Sequence, residues 1–287
     1  MGRLGARGRL LVSCSDQPGI VAAVTQFLFQ RGANIVHSDQ HTTDPVGGAF
    51  FMRVEFDVAS ADGLADDIGG QFAPVAERFG MDWRLEDAGR RKRLAIFVSR
   101  EEHCLLELLW QQQAGDLPVD IAMVLSNHDS LRATVEARGI PYHHVPVPTG
   151  SKEAAEQQQT ALLAGQADLI ALARYMQIVS PAFVQRWPNR IINIHHSFLP
   201  AFVGARPYDQ AYRRGVKLIG ATAHYVTADL DAGPIIEQDV ARVDHRHGVE
   251  ELKRIGRAVE RVVLARAVRW HVEDRILVHG NKTVVFA

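Results

Sequence analysis

The sequence predicts an α/β chain of two modules: a small βαββαβ unit, then a larger, mostly parallel sheet doubly wound by helices. Three observations predict it. The 287 residues exceed the roughly 150 expected of one domain. Residues up to about 87 run strand, helix, two strands, helix, strand, a ferredoxin-like order. From about residue 94 onward, short apolar strands alternate with helical segments, as in parallel sheets covered on both faces.

The elements follow in order. Leu10 to Cys14 is a short apolar strand, and Asp16-Gln17-Pro18-Gly19 leads into a helix from about Ile20 to Gln30. Asp16 can cap that helix, Pro18 suits its first turn and Gly32 closes it. Asn34 to Thr42 and Ala49 to Asp57 read as strands joined through Asp44-Pro45 and Gly47-Gly48. Leu64 to Phe79 is a weaker helix and Met81 to Glu86 the last strand of the module. Asp87 to Arg93, DAGRRKR, is polar and basic. No aromatic residue interleaves with its charges to stack on bases, so it reads as a solvated linker rather than an RNA-binding patch. The domains are therefore 1–87 and 94–287, with a linker at 88–93.

In the second module Leu94 to Ser99, Ile121 to Ser126, Asp168 to Leu172 and Arg190 to Ile194 are strands. Helical segments separate them at about Cys104–Gln113, Ser130–Arg138 and Ser151–Ala164. Two longer strands, Leu218 to Val226 and Ile235 to Val243, precede a helix from Val249 to Val272. A hairpin turning at His279-Gly280-Asn281 follows.

Composition removes several functions. Hydrophobic residues at 47% and charged residues at 23% exclude a disordered chain. A net charge of −1 leaves no global footprint for nucleic acid or an anionic membrane. No apolar run approaches the roughly 20 residues of a membrane span. Arg3, Arg7 and Arg9 precede an apolar segment broken by Ser13, Ser15 and Asp16, which does not read as a secretory leader. Cys14 and Cys104 form no disulfide framework, so a reducing, cytoplasmic setting is expected.

The chain has no GxGxxG after a strand, no P-loop, no GxSxG elbow and no HExxH. Its informative stretch is Ile191-Ile192-Asn193-Ile194-His195-His196. Spacing two puts Asn193 and His195 on one side of a strand, at the C-terminal end where open α/β sheets hold ligands. Asn can donate to an oxyanion, and His can donate or accept a proton; alternatively, the two merely satisfy hydrogen bonds at a strand end. Thr227 to Pro234 is a tight loop after a strand containing His224, and it offers two carboxylates, Asp229 and Asp231. His195, His196, His224 and Asp231 have metal-ligand chemistry, but adjacent strand residues point to opposite sides, so no metal is expected. Cys104 lies on an apolar helix face and reads as a buried structural thiol. His143-His144 and His245 with His247 read as solvated loops.

These stretches carry a resemblance. NIHHSFLPAF followed by GATAHYVTADLDAGPII is similar to the signature of the formyl-transfer fold, an Asn-x-His and, 36 residues after the His, the Asp of an L-D-x-G loop. FLFQRGANIV, HTTDPVGGAFFMRVEF, NHDSLRATVEARGIP, LARYMQIVSPAFVQRWPNRIINIHHSFLPAFVGARPY and HGNKTVV extend it over nearly the whole chain. The chain resembles the formyltetrahydrofolate deformylase family, its N-terminal module resembling an ACT regulatory domain. The resemblance implies catalysis by Asn193, His195 and Asp231, and it alone prefers Asp231 over Asp229. It places the folate pocket on Arg174, Tyr175, Met176, Gln177, Ile178 and Val179 and on the loop Val226, Thr227, Ala228, Asp229 and Leu230. Gln177 stands where the family often carries Arg, so only backbone contacts carry over there.

The implied reaction is hydrolysis of 10-formyltetrahydrofolate to tetrahydrofolate and formate, which would balance one-carbon units and supply formate for purine synthesis. Asp231 would orient the water and take its proton, while Asn193 and His195 stabilise the oxyanion. No metal or redox cofactor is expected, since hydrogen bonds can polarise a formamide carbonyl. Transferases that act on glycinamide ribonucleotide receive its phosphate on a Gly-rich loop after their first strand. Here Val98 to Cys104 holds no glycine and two acids, which favours water over an amine acceptor. The alternatives are transfer to an amine and a silent folate or amino-acid sensor. The resemblance further implies a homo-oligomer, dimer or tetramer, and a small amino-acid effector, glycine or methionine, at Gly32, Ala33 and Asn34.

Overall fold

The structure, a computed structural model, describes residues 5–44, 46–59, 64–201 and 206–287. Pro45 of the expected hairpin turn, and residues 202–205 and 1–4 of the stretches read above, lie outside the described residues. Contacts divide the chain into two units. One holds the residues up to Arg91 with Glu273–Leu277 and Val284–Ala287; the other holds Lys92–Val272 with Val278–Thr283.

The first unit runs β1 (Arg7–Ser15), α1 (Ile20–Gln30), β2 (Asn34–Thr42), β3 (Ala49–Asp57), a π-helical turn (Leu64–Gly69), α2 (Gly70–Phe79) and β4 (Asp82–Asp87). Its antiparallel sheet has the order β2-β3-β1-β4. Alternation along β1 sends Leu10 and Val12 under the helices, where they bury with Ile20, Val24, Phe27, Phe72 and Phe79. The spacing predicts Asp16 as the cap of α1, but the structure gives that place to Gly19 at φ 95°. Asp16 instead accepts a hydrogen bond from Thr42 Oγ1 at 2.7 Å. Gly32, at φ 68°, is exposed in the turn after α1, and Asn34 opens β2, also exposed.

The other face of this sheet is covered by the chain's own C-terminus. Leu11 and Phe51 pack with Leu277 and Phe286. Buried Arg53 donates to the carbonyls of Asp274 at 2.9 Å and Glu273 at 3.0 Å and to Glu55 at 2.8 Å. Arg9 pairs with Asp274 at 3.2 Å. The sequence reading assigns all of 94–287 to the second domain; these contacts place its last segments in the first unit instead. Two apolar side chains spaced along a terminal hairpin could not reveal which sheet they cover.

The second unit contains β5 (Lys92–Val98), α3 (His103–Ala114), β6 (Val119–Ser126), α4 (Arg132–Glu136), β7 (Tyr142–His144) and α5 (Lys152–Leu163). It continues with β8 (Leu169–Leu172), α6 (Pro181–Gln185), β9 (Ile191–His195), α7 (Pro207–Arg214), β10 (Leu218–Tyr225), β11 (Ile235–Arg242) and α8 (Val249–Val272). The sheet order is β11-β10-β9-β8-β5-β6-β7, parallel from β7 to β9 and antiparallel beyond. β12 (Ile276–His279) and β13 (Lys282–Val285) form the terminal hairpin. The chain order reverses beside β5, and at such a point loops after neighbouring strands diverge and leave a crevice. His143 and His144, read as a loop, form part of the edge strand β7. No helix among the described residues is long and apolar enough to cross a membrane.

Replacing Arg53 by Met leaves two carbonyls of the tail without their donor and takes one of three arginine partners from half-buried Glu55. Arg53→Met should cost about 1–3 kcal/mol, as for leaving hydrogen-bond acceptors unsatisfied, read as a lower urea midpoint at unchanged m. A loss below about 0.5 kcal/mol would show that this cluster does not hold the tail.

Candidate active site

β9 ends at the crevice with Asn193 half-buried and His195 buried. The antiparallel pairing of β9 with β10 sets His224 directly opposite Asn193 and Thr222 opposite His195. His224 Nδ1 lies 2.9 Å from the carbonyl of Tyr225, which can only accept, so Nδ1 carries the proton. Nε2 is then free to accept from Asn193 Nδ2 at 3.2 Å. One amide hydrogen of Asn193 is engaged in this way, leaving the other for a ligand. Thr222 is wholly buried and steadies the chain beyond β9, donating to Ser197 O and accepting from Leu199 N.

The loop after β10 turns back sharply, and Tyr225 N bonds Pro234 O at 2.9 Å. A Cβ on Gly233 would lie 1.8 Å from Tyr225 O, so only glycine fits. Asp231 takes a left-handed φ of 54°, which for a non-glycine costs about 1–2 kcal/mol. That conformation brings Oδ2 to 3.2 Å from His195 Nδ1 and Oδ1 to 3.6 Å from His224 Nε2. The hydrogen bond with His195 outweighs burial and holds the Asp231 carboxyl well below the usual carboxylate range. His195 Nε2 is buried and has no hydrogen-bond partner. Asp229 is exposed, and its carbonyl accepts from Thr227 Oγ1 at 3.1 Å.

These groups line a cavity of about 480 Å³ whose wall also includes both expected segments, 174–179 and 226–230. Met176, Ile178 and Leu230 are 57%, 62% and 61% exposed around it, the apolar rim of a ligand site. Tyr175 is largely core, stacked edge-on against Phe97 and accepting from Gln159 Nε2 at 2.9 Å. Arg174, at φ 62°, directs its guanidinium toward Glu260, with Nε 3.5 Å from Oε2. Glu260 is 1% exposed and is also met by His103 Nε2 at 2.8 Å and Tyr208 Oη at 2.6 Å. Burial alone would raise Glu260, but His103, the Arg174 charge and Tyr208 hold it down to about 2. Gly256 permits this contact, since a Cβ there would lie 1.9 Å from Tyr208 Oη.

Five lining residues fall outside the expected set: apolar Leu172 and Ile194, and the polar His224, His196 and Arg206. His224 is visible in GATAHY, but only the register sets it against Asn193. His195 and His196 are expected on opposite sides, yet their ring centroids lie 5.4 Å apart, because the strand ends at His195 and alternation stops there. Burial, reinforced by Arg174, lowers the His196 pKa to about 4, so its ring is neutral near pH 7. A different trio, His103, Cys104 and Glu260, brings metal-ligand atoms within 4.8 Å of one another among the described residues. Burial raises the Cys104 thiol well above its ordinary pKa, and Arg174 already answers Glu260, so the cluster is poorly suited to a cation.

Family models match this chain in two places, an ACT domain over residues 8–70 and a formyl transferase over residues 92–268. It is 59% identical to a formyltetrahydrofolate deformylase of Bacillus subtilis, covering 98% of this chain and 94% of that protein. A crystal structure of a formyltetrahydrofolate deformylase from Pseudomonas syringae is 50% identical with a TM-score of 0.95, covering 99% of this chain and 96% of that one. Glycinamide ribonucleotide transformylase 1 from Symbiobacterium toebii is similar at 32% identity and TM-score 0.64, covering 71% of this chain and 98% of its own.

The Asp231 charge also makes a prediction about folding. A depressed carboxylate adds stability above its unfolded pKa, near 4, and loses it as pH falls toward the lower folded value. The Tm deficit of Asp231→Asn against the parent should therefore be full at pH 7 and shrink below about pH 4. A deficit constant down to pH 3 would refute the paired carboxylate.

Proposed function

Since this chain belongs to the formyltetrahydrofolate deformylase family, we infer that it hydrolyses 10-formyltetrahydrofolate to tetrahydrofolate and formate. The observation that carries the site assignment is that Asn193, His195 and Asp231 converge on one apolar-rimmed cavity. Its volume falls within the roughly 300–1,000 Å³ of small-molecule sites. The apolar rim suits the pterin, and the backbone of 174–179 and 226–230 can satisfy its polar edge.

The chemistry follows from the donors. Water attacks the formyl carbon, forming a C–O bond and a tetrahedral oxyanion. The spare Asn193 amide hydrogen and His195 Nε2–H donate to that oxygen. Asp231 accepts from His195 Nδ1, stabilising the imidazolium, and orients the water and receives its proton. The C–N10 bond then breaks, N10 takes a proton through His195, and formate leaves with net release of one proton. Hydrogen bonds supply the polarisation, and the step calls on no metal or redox group. Glu101 and Glu102 follow β5, where an acceptor phosphate would be repelled; this supports water as nucleophile.

The ACT unit supports a regulatory reading. Small amino acids such as glycine or methionine would bind near Gly32, Ala33 and Asn34, at an interface with a second copy. β2 offers an exposed edge for that pairing, with Val36 42% exposed. Deleting residues 1–87 would uncover the C-terminal segment, so Asn34→Ala is the cleaner test. It should abolish the response of the rate to these amino acids and leave the basal rate intact. A monomer at micromolar concentration would refute the pairing.

Formate release without an added amine is the primary assay. Asn193→Ala should lower kcat about 10²–10³-fold with KM nearly unchanged. Asp231→Asn should lose at least about 10²-fold, and Asp229→Asn far less. A raised KM at normal kcat in Asn193→Ala would reduce that residue to a binding role.

A further inference from the structure

A second cavity, of about 440 Å³, adjoins the first and shares Arg174, Met176, His196 and Arg206 with it. Its far wall comes from α7 and α8. This wall is charged where the first cavity's rim is apolar, and most of its charges are matched. Glu260 is met by His103, Tyr208 and Arg174. Lys253 bonds Glu250 at 2.7 Å and lies in the field of Asp209 and Glu101. Two guanidiniums are left over. Neither Arg206 nor half-buried Arg257 has a carboxylate partner among the described residues.

The hydrolysis creates a small anion in the same place as a fixed one. Formate forms beside the Asp231 carboxylate, whose charge persists far below neutral pH, and like charges at contact distance repel. The apolar cavity is filled by the folate at that moment, and the cations on its wall, Arg174 and Arg206, are those it shares with the neighbouring cavity. The neighbouring cavity offers room and two guanidiniums with no carboxylate partner among the described residues, while its own acids are already answered: Glu260 by His103 and Arg174, Glu101 by His103 at 3.7 Å, and Asp209 by the charge of Lys253. We propose that it is the formate subsite and exit, with Arg257 receiving the carboxylate in a bidentate fork. The two products then part by different routes, the folate through the apolar mouth and formate past His196.

This inference rests on the hydrolase reading and deepens it. The test is steady-state inhibition of the full chain by sodium formate, against sodium acetate and sodium chloride at matched ionic strength. Formate should inhibit in a mixed pattern against 10-formyltetrahydrofolate, because it occupies a separate cavity. Arg257→Met should raise the formate inhibition constant about tenfold and leave inhibition by tetrahydrofolate unaltered, which also reports an intact fold. Arg257→Lys, keeping the charge without the fork, should fall between. Absence of formate inhibition, equal inhibition by chloride, or an inhibition constant unmoved in Arg257→Met would overturn the subsite. An enzyme that releases no formate from its substrate would overturn the hydrolase reading itself, a separate failure.

Discussion

One carboxylate, Asp231, lies between two imidazoles, and the geometry of the site follows from keeping it there. Its oxygens reach His195 on β9 and His224 on β10. A left-handed backbone at Asp231 and a glycine at position 233 make that reach possible. The conformational cost, about 1–2 kcal/mol, is comparable to one charge-assisted hydrogen bond at about 1.5–3 kcal/mol. The His195 contact therefore offsets that cost and holds the loop closed. The same pair fixes the histidines: Nδ1 of His195 points at the carboxylate and its Nε2 at the cavity, while His224 turns its acceptor to Asn193. Moving the carboxylate by one residue would free His195, whose Nδ1 pairs with Asp231.

That dependence explains what the sequence could and could not tell. Asn193 and His195 were legible because period two is a local property of any strand, and the crevice at a strand's C-terminal end is a property of the fold class. Asp229 and Asp231 were not separable from spacing, since they share a short loop and chemistry. What separates them is a positive φ at one position, for which L-D-x-G carries no local signature beyond its glycine. His224 escaped for another reason. Its place opposite Asn193 depends on the β9–β10 register, and a parallel rhythm of strands gives no hint that β10 runs antiparallel.

The elements show the same division. Ile20–Gln30, Asn34–Thr42, Ala49–Asp57 and Val249–Val272 stand where the sequence pattern places them, because long periodic runs overdetermine their type. The short pieces β7, α6 and α7 span three, five and eight residues, too few for a period to emerge. The tail is the instructive failure. A two-layer βαββαβ unit leaves one sheet face bare, and the simplest expectation covers it with a second copy. In this chain Leu277 and Phe286 cover part of that face from within, and Arg53 fastens the segment through two backbone carbonyls. The argument for pairing then narrows from a face to the β2 edge.

A buried network of charges stands beside the site. Glu260 sits on α8 and gathers His103 from α3, Tyr208 from α7 and Arg174 from the loop after β8. Four elements thus converge on a single charge, and removing any partner leaves that charge less compensated in a water-poor place. Such a cluster is weak as a source of stability, because desolvation offsets most of its attraction. Its value is positional. It sets Arg174 into the wall between the two cavities, against His196, and that positive charge helps keep the His196 ring neutral. A neutral ring beside Asn193, His195 and Asp231 does not compete with His195 for the Asp231 carboxylate. Glu260 therefore acts at a distance, by holding Arg174 in the wall beside His196, whose ring burial already keeps neutral.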